Sequence, residues 1–239
     1  MGTRLTVPGV EFTDYIDIVK YPVTDQLSAL FYLGGSGAAS KVNQASGGTN
    51  ASDPGANVTF ADYWGVFTGT HTTAANYMQT AELDNASLDL TLIAVSKNAA
   101  ERAVWGMFNG TGNGAAMLAS LAWAVASGSV GKSVAFAGSG LPDAAMQFRA
   151  LSYTASGGGV MTAYHGAAGS LATSSVGSIG DRVTQALGAR IGGGYNASYT
   201  GEVLVAAVAK HKKALSAGEI GLIYAYLRSR YAKLGVTVA

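Results

Sequence analysis

Along most of the chain, apolar residues recur at every second position in short runs, and the period changes only near the end. Ser87 to Lys97 reads SLDLTLIAVSK and sets Leu88, Leu90, Leu92 and Ala94 on one face, the spacing of a strand with one side in a core. Further strands are predicted over residues 15–19, 30–33, 60–67, 77–80, 103–109, 116–127, 133–137, 146–154, 159–165, 190–191 and 202–208. Glycine, serine and asparagine turns separate them at intervals of about 8–15 residues, which is the signature of a β-sandwich or barrel. The last segment differs. Ser216-Ala217-Gly218-Glu219 is a capping box, in which the serine and glutamate each satisfy an amide at the start of a helix. Ile220, Ile223, Tyr224, Leu227, Tyr231 and Leu234 then recur at helical spacing, with Lys233 in the last turn and Gly235 beyond it. The pattern predicts one amphipathic helix over 217–234, capping a sandwich along an edge or an end.

Composition supports a full core. The chain has 239 residues, 49% of them hydrophobic, and a mean hydropathy of +0.23. Charged residues make up only 12% and glycine contributes 33 positions, which suits short strands and tight turns. The formal net charge is +1, and the longest basic run is Lys210-His211-Lys212-Lys213. A nucleic-acid-binding surface needs a concentrated basic face to neutralise phosphates, so that class is set aside. There are no cysteines, which excludes disulfides and thiolate metal sites. The first 20 residues lack the basic and apolar regions of a signal peptide. No stretch of about 20 apolar residues occurs, so membrane insertion is not expected and synthesis in the cytoplasm is. Residues 1–25, with Pro8 and Pro22, are read as an N-terminal arm or edge strand, and 26–239 as the sandwich with its helix.

Candidate chemistry is sparse. Ala126-Ser127-Gly128-Ser129-Val130-Gly131-Lys132-Ser133 loosely fits a phosphate-binding loop, but such a loop must open a helix. Here a strand pattern and the Gly138-Ser139-Gly140 turn follow, so a hairpin is expected. His71, His165 and His211 are scattered and are read as solvated or loosely packed. No metal site is expected, although loop carboxylates such as Asp181 and Asp143 would suit calcium. Five Asn-x-Ser/Thr sequons start at Asn50, Asn57, Asn85, Asn109 and Asn196. They are read as by-products of asparagine-rich turns. Sugar sites pair an aromatic face with amide side chains on loops. Tyr195, Asn196 and Tyr199 have that chemistry, and so do Trp105, Asn109 and Asn113. Trp64 and Trp123 fall inside strand patterns and are read as core.

Two stretches resemble the concanavalin A-like lectin/glucanase superfamily, in its laminin-G-like form. The first is ADYWGVFTGTHTTAANYMQT, with Phe67, Gly69, Tyr77 and Met78 in the matching places. The second runs from Ile191-Gly192-Gly193-Gly194 through Tyr199-Thr200-Gly201-Glu202-Val203-Leu204-Val205 to Ala214-Leu215-Ser216-Ala217-Gly218-Glu219. It resembles the family's closing glycine-led strand, aromatic-x-Gly turn, last strand and helix start. Where that family carries Tyr, Asp and Arg after the last strand, this chain has the 210–213 basic run. The resemblance implies an all-β, two-sheet jelly-roll sandwich with a C-terminal helix. Retaining glucanases of this fold place two acids on one strand face. The nearest candidate, Glu82-Leu83-Asp84, has no further glutamate downstream, so the chain is not expected to be an enzyme.

The resemblance, the missing leader and the low charge together imply a structural or binding protein of a phage virion, at the tail tip or baseplate. Its implied partners are other virion proteins, copies of itself and a host cell-surface glycan. A stand-alone carbohydrate-binding module is the alternative, and a glycosidase a more distant one.

Overall fold

The protein is described over residues 20–70, 72–84, 88–108, 114–126, 130–167, 169–177, 179–184, 186–195 and 201–239 by a computed structural model, and these residues form three layers. The central layer is an eight-stranded antiparallel sheet. It comprises β1 (Leu27–Tyr32), β2 (Thr59–Phe60), β3 (Gly65–Phe67), β5 (Leu90–Asn98), β10 (Gln147–Thr154), β11 (Val160–Ala167), β12 (Ser170–Val176) and β14 (Val203–His211). Its order is β12-β11-β10-β5-β14-β3-β2, with β1 paired to the C-terminal half of β14. The second layer is a six-stranded sheet of β4 (Met78–Leu83), β6 (Trp105–Gly106), β7 (Ala115–Met117), β8 (Leu121–Ala126), β9 (Val130–Ala135) and β13 (Gly188–Ile191), ordered β4-β13-β6-β7-β8-β9. The third layer is helix α2 (Ala217–Lys233); a single-turn helix, α1 (Gly37–Ser40), follows β1.

The alternation in β5 explains why the large sheet lies in the middle. Leu90, Leu92 and Ala94 face the small sheet and share a core with Phe31, Phe67, Trp105, Leu151 and Ile191. The intervening Ile93 and Val95 are equally buried, in a second core with Phe148, Ala150, Ile223, Tyr224 and Leu227. Both faces of the strand are therefore covered. Helix α2 lies across the outer face of the large sheet instead of capping an edge or an end. Its stripe buries five side chains, Ile220, Ile223, Tyr224, Leu227 and Tyr231, each stabilising by roughly 1.5–3 kcal/mol. The capping box forms as expected: the Ser216 hydroxyl accepts from the Glu219 amide, and the Glu219 carboxylate accepts from the Ser216 amide.

β14 carries a bulge between Val205 and Ala207. Before it, Val203 and Val205 face the inter-sheet core; after it, Val208 does, while Ala207 and Ala209 face the helix. The extra residue, Ala206, turns its carbonyl to two donors, the Leu33 amide at 2.9 Å and the Tyr231 hydroxyl at 2.6 Å. A bulge thus fixes the helix to the sheet.

Several expectations change. Residues 60–67 are not one strand: Ala61 to Trp64 turn the chain between β2 and β3. Trp64 sits in that turn, half-buried against the helix-side core. Residues 116–127 divide into β7 and β8, and only two residues of 103–109 are strand. β12 and α1 were not foreseen. Leu88 is exposed. Tyr21 and Val23, in the segment read as an arm or edge strand, are buried in the helix-side core. The predicted strand at 15–19 lies outside the described residues. Of the phosphate-loop lookalike, Ala126 ends β8 opposite Val130 and residues 130–133 run in β9, not in a helix, while residues 127–129 lie outside the described residues.

The basic run also divides. Lys210 and His211 end β14 and are buried. Lys210 reaches from the large sheet to the small one, donating to the Leu83 carbonyl with the Glu82 carboxylate at 3.6 Å. Lys213 is ion-paired with Asp25 and Glu219 at the surface.

Candidate functional site

A cavity of about 880 Å³ opens where α2, β1 and the segment before β1 meet. Strand alternation makes its floor: Ala29 and Phe31 point into the inter-sheet core, so Leu30 and Tyr32 point toward the helix layer. Helical spacing makes one wall, because Tyr226 and Arg230 stand four residues apart on the flank of the apolar stripe. Tyr21 and Tyr63 contribute from two loops.

The aromatic groups are held against one another. The Tyr32 and Tyr226 hydroxyls are 3.1 Å apart. The Tyr21 ring meets Tyr226 edge-on at 5.8 Å and stacks on His211 at 6.0 Å. The Arg230 guanidinium lies 4.2 Å over the Tyr32 ring, a cation–π contact. Burial pushes the Tyr21 and Tyr32 hydroxyls well above the ordinary phenol range, and the neighbouring Tyr226 adds to the rise. Both therefore remain protonated donors at neutral pH. Tyr21 is only 6% exposed, yet its hydroxyl has no hydrogen-bond partner among the described residues, and neither has Arg230 Nε.

Such a site can stack against the C–H face of a ring and offer it hydroxyl and guanidinium donors. Its acid chemistry is thin. Asp62 is the only carboxylate among the described lining residues, whereas paired-acid glycoside hydrolysis needs two flanking the bond. Glu82 and Asp84 lie elsewhere: Asp84 is fully buried and paired with Arg182, and Glu82 faces Lys210.

Of the six residues expected from the sequence, Trp105 and Tyr195 are among the described ones. Trp105, expected as a stacking surface, has no exposure and belongs to the inter-sheet core, because its strand position faces the large sheet. Tyr195 packs against β13. Its partner in the stack, Arg190, sits opposite Gly106 on β6. The Arg190 guanidinium is 3.5 Å over the Tyr195 ring and 4.1 Å over Tyr77, and the Tyr195 hydroxyl donates to the Gly188 carbonyl at 2.7 Å. Tyr195 is thus held in a polar clamp outside the cavity. Asn109, Asn113, Asn196 and Tyr199 lie outside the described residues, as does His71. His165 and His211 are buried, not solvated. Asp143, one of the two carboxylates considered for calcium, gives both oxygens to Arg149, while Asp181 is exposed. Among the described residues no three His, Asp or Glu side chains gather as metal ligands do.

No protein-family model matches the chain, and no curated protein matches it in sequence. Solved structures do. The chain is similar to the receptor-binding domain of botulinum neurotoxin type G, at 13% identity and TM-score 0.60, over 85% of this chain and 52% of that one. It is also similar to the ligand-binding domain of botulinum neurotoxin serotype D in complex with N-acetylneuraminic acid, at 13% identity and TM-score 0.61, over 86% and 52%. The binding domain of Paraclostridial Mosquitocidal Protein 1 matches at 11% identity and TM-score 0.61, over 85% and 53%. The chain spans about half the length of these structures. At such identities the likeness shows the fold alone, a β-sandwich shared with binding domains.

Proposed function

We propose that this chain is a non-catalytic saccharide-binding module of the concanavalin A-like, jelly-roll kind, and that the tyrosine cavity beside α2 is its binding site. One observation carries the reading: a buried hydroxyl, that of Tyr21, lines a roomy aromatic cavity and has no hydrogen-bond partner among the described residues. A buried donor left unpaired costs about 1–3 kcal/mol, and a bound hydroxyl or carbonyl oxygen would remove that cost. Likeness to binding domains, one of them solved with a sugar acid, supports the assignment.

Tyr21→Phe tests it. The free protein should keep or gain stability, because an unsatisfied group is removed. Saccharide affinity, found by glycan array and measured by calorimetry, should fall about 10-fold, the equivalent of ~1.4 kcal/mol. Tyr195→Ala and Asn196→Ala in the same assay test the loop expected from the sequence. Loss of binding there, with none at Tyr21, would move the site to that loop.

The setting we propose is the tail tip or baseplate of a phage particle, with the residues ahead of Lys20 attaching the module and a host glycan as target. That part rests on the sequence resemblance. It predicts a homo-oligomer or a stable complex with other virion proteins, and a particle-free monomer by light scattering would count against it.

A further inference from the structure

We infer that the cavity selects saccharides bearing a carboxylate, and that Arg230 is the residue that recognises it; this rests on the saccharide reading above. Six ion pairs join described residues, and Arg230 is in none of them. No hydrogen bond from its guanidinium to a described residue exists either, and its Nε is buried without a partner. The buried cations of the fold discussed here are each answered by oxygen: Arg149 by Asp143, Arg182 by Asp84, Lys210 by the Leu83 carbonyl, and Arg102 by the carbonyls of Gly192, Gly201 and Asn76. Arg230 instead rests on the Tyr32 ring with its edge uncommitted.

A neutral sugar filling the cavity would strip water from this guanidinium and return nothing of opposite charge, which is costly. A carboxylate matches the planar fork with two parallel hydrogen bonds. The cavity's other charges agree in sign, since Lys20 and Arg230 line it against Asp62 alone. Tyr21 and Tyr32 then serve the ring and its hydroxyls while Arg230 holds the acid. The preference should be attenuated by salt, because the cavity is open to solvent.

The test compares each acid with its own methyl ester, which keeps the ring and removes the charge. Methyl glycosides of glucuronic acid and N-acetylneuraminic acid, with their esters, are titrated into the full chain by saturation-transfer NMR and calorimetry. At least one acid should bind 10-fold or more tightly than its ester. Arg230→Gln should bring that acid down to the level of its ester, and Arg230→Lys should recover only part of the preference. Glucose 6-sulfate separates a carboxylate site from a general anion site: it should bind no better than glucose. Equal binding of acids and esters overturns this inference alone, as does a preference that survives in Arg230→Gln. Absence of binding by acids and esters alike overturns the saccharide reading with it. Far-UV circular dichroism confirms that each variant is folded.

Discussion

Arg149 and Asp143 form a closed pair at one end of the inter-sheet core, with Arg149 Nη2 donating to the two carboxylate oxygens at 2.8 and 2.9 Å and both side chains essentially without exposure. The same carboxylate accepts the Asn98 amide at 2.8 Å, and Arg149 Nη1 reaches the Ser96 hydroxyl at 3.1 Å. Removing one partner leaves a buried charge alone. Asp143→Ala should therefore lose about 3–5 kcal/mol by urea denaturation. Arg149→Met with Asp143→Leu should lose much less than Asp143→Ala, because no charge is stranded.

The pH profile of stability should be set by two histidines. His165 and His211 each place Nδ1 3.0 Å from a backbone carbonyl, those of Ala137 and Asp25. A carbonyl only accepts, so each neutral ring carries its proton on Nδ1 and leaves Nε2 bare, buried and unpartnered. Burial pushes both pKa values below 6.5. As pH falls through 6.5, the unfolded imidazoles take up protons that the folded ones refuse, so stability is full above that pH and declines below it. The melting temperature should drop between pH 7.5 and 5, and His165→Gln with His211→Gln should flatten the slope. An unchanged slope would refute the assignment. Glu219, which Lys213 and the Ser216 amide hold down at about 2, is depressed in the folded state; its contribution is present above pH 4.5 and lost toward pH 2, outside this window.

Removing the capping serine should have a measurable, local cost. Ser216→Ala deletes the acceptor for the Glu219 amide and should destabilise by ~1 kcal/mol in thermal or urea unfolding. Ser216→Asp should restore most of it.

Two glycines separate backbone strain from overlap. Gly192 and Gly157 share a left-handed conformation, with φ of +67° and +76°. A Cβ on Gly157 meets nothing within 4 Å, whereas one on Gly192 falls 2.1 Å from the Phe67 ring. Gly157→Ala should lose roughly 1–2 kcal/mol. Gly192→Ala should lose a further ~1–3 kcal/mol for overpacking. Equal losses would show that Phe67 moves freely aside.

The parts of the fold legible in the sequence are those with a strong local period. β5, β10, β11 and α2 repeat their apolar residues against a buried face, and the capping box marks the helix start within its own four residues. β12 escaped because it has no buried face: its burial runs exposed and intermediate throughout, leaving no alternation to read. The hairpin of β2 and β3 read as one strand because aromatic Tyr63 and Trp64 continue the apolar run through the turn. The burial of Lys210 within the basic run is hidden for a related reason. Lys210 is apolar in stem and satisfied by a carbonyl on the opposite sheet, which composition cannot reveal. The cavity was invisible because its tyrosines come from four separate stretches, at positions 21, 32, 63 and 226. Only the Tyr226–Arg230 spacing on the polar flank of α2 hinted at it.

The position of β14 between β5 and the pair β1 and β3 bears on how the chain is made. Strands near residue 30 and near residue 210 must meet, a loop of some 180 residues closed late, and distant pairings of this kind slow folding. During synthesis β1, β3 and β5 emerge long before β14 joins them. Until it does, β5 presents an open hydrogen-bonding edge, and the face destined for α2 has no helix upon it. The nascent chain is thus most vulnerable to association with its neighbours over that interval. Translation of β14 and α2 removes both the bare edge and the bare face.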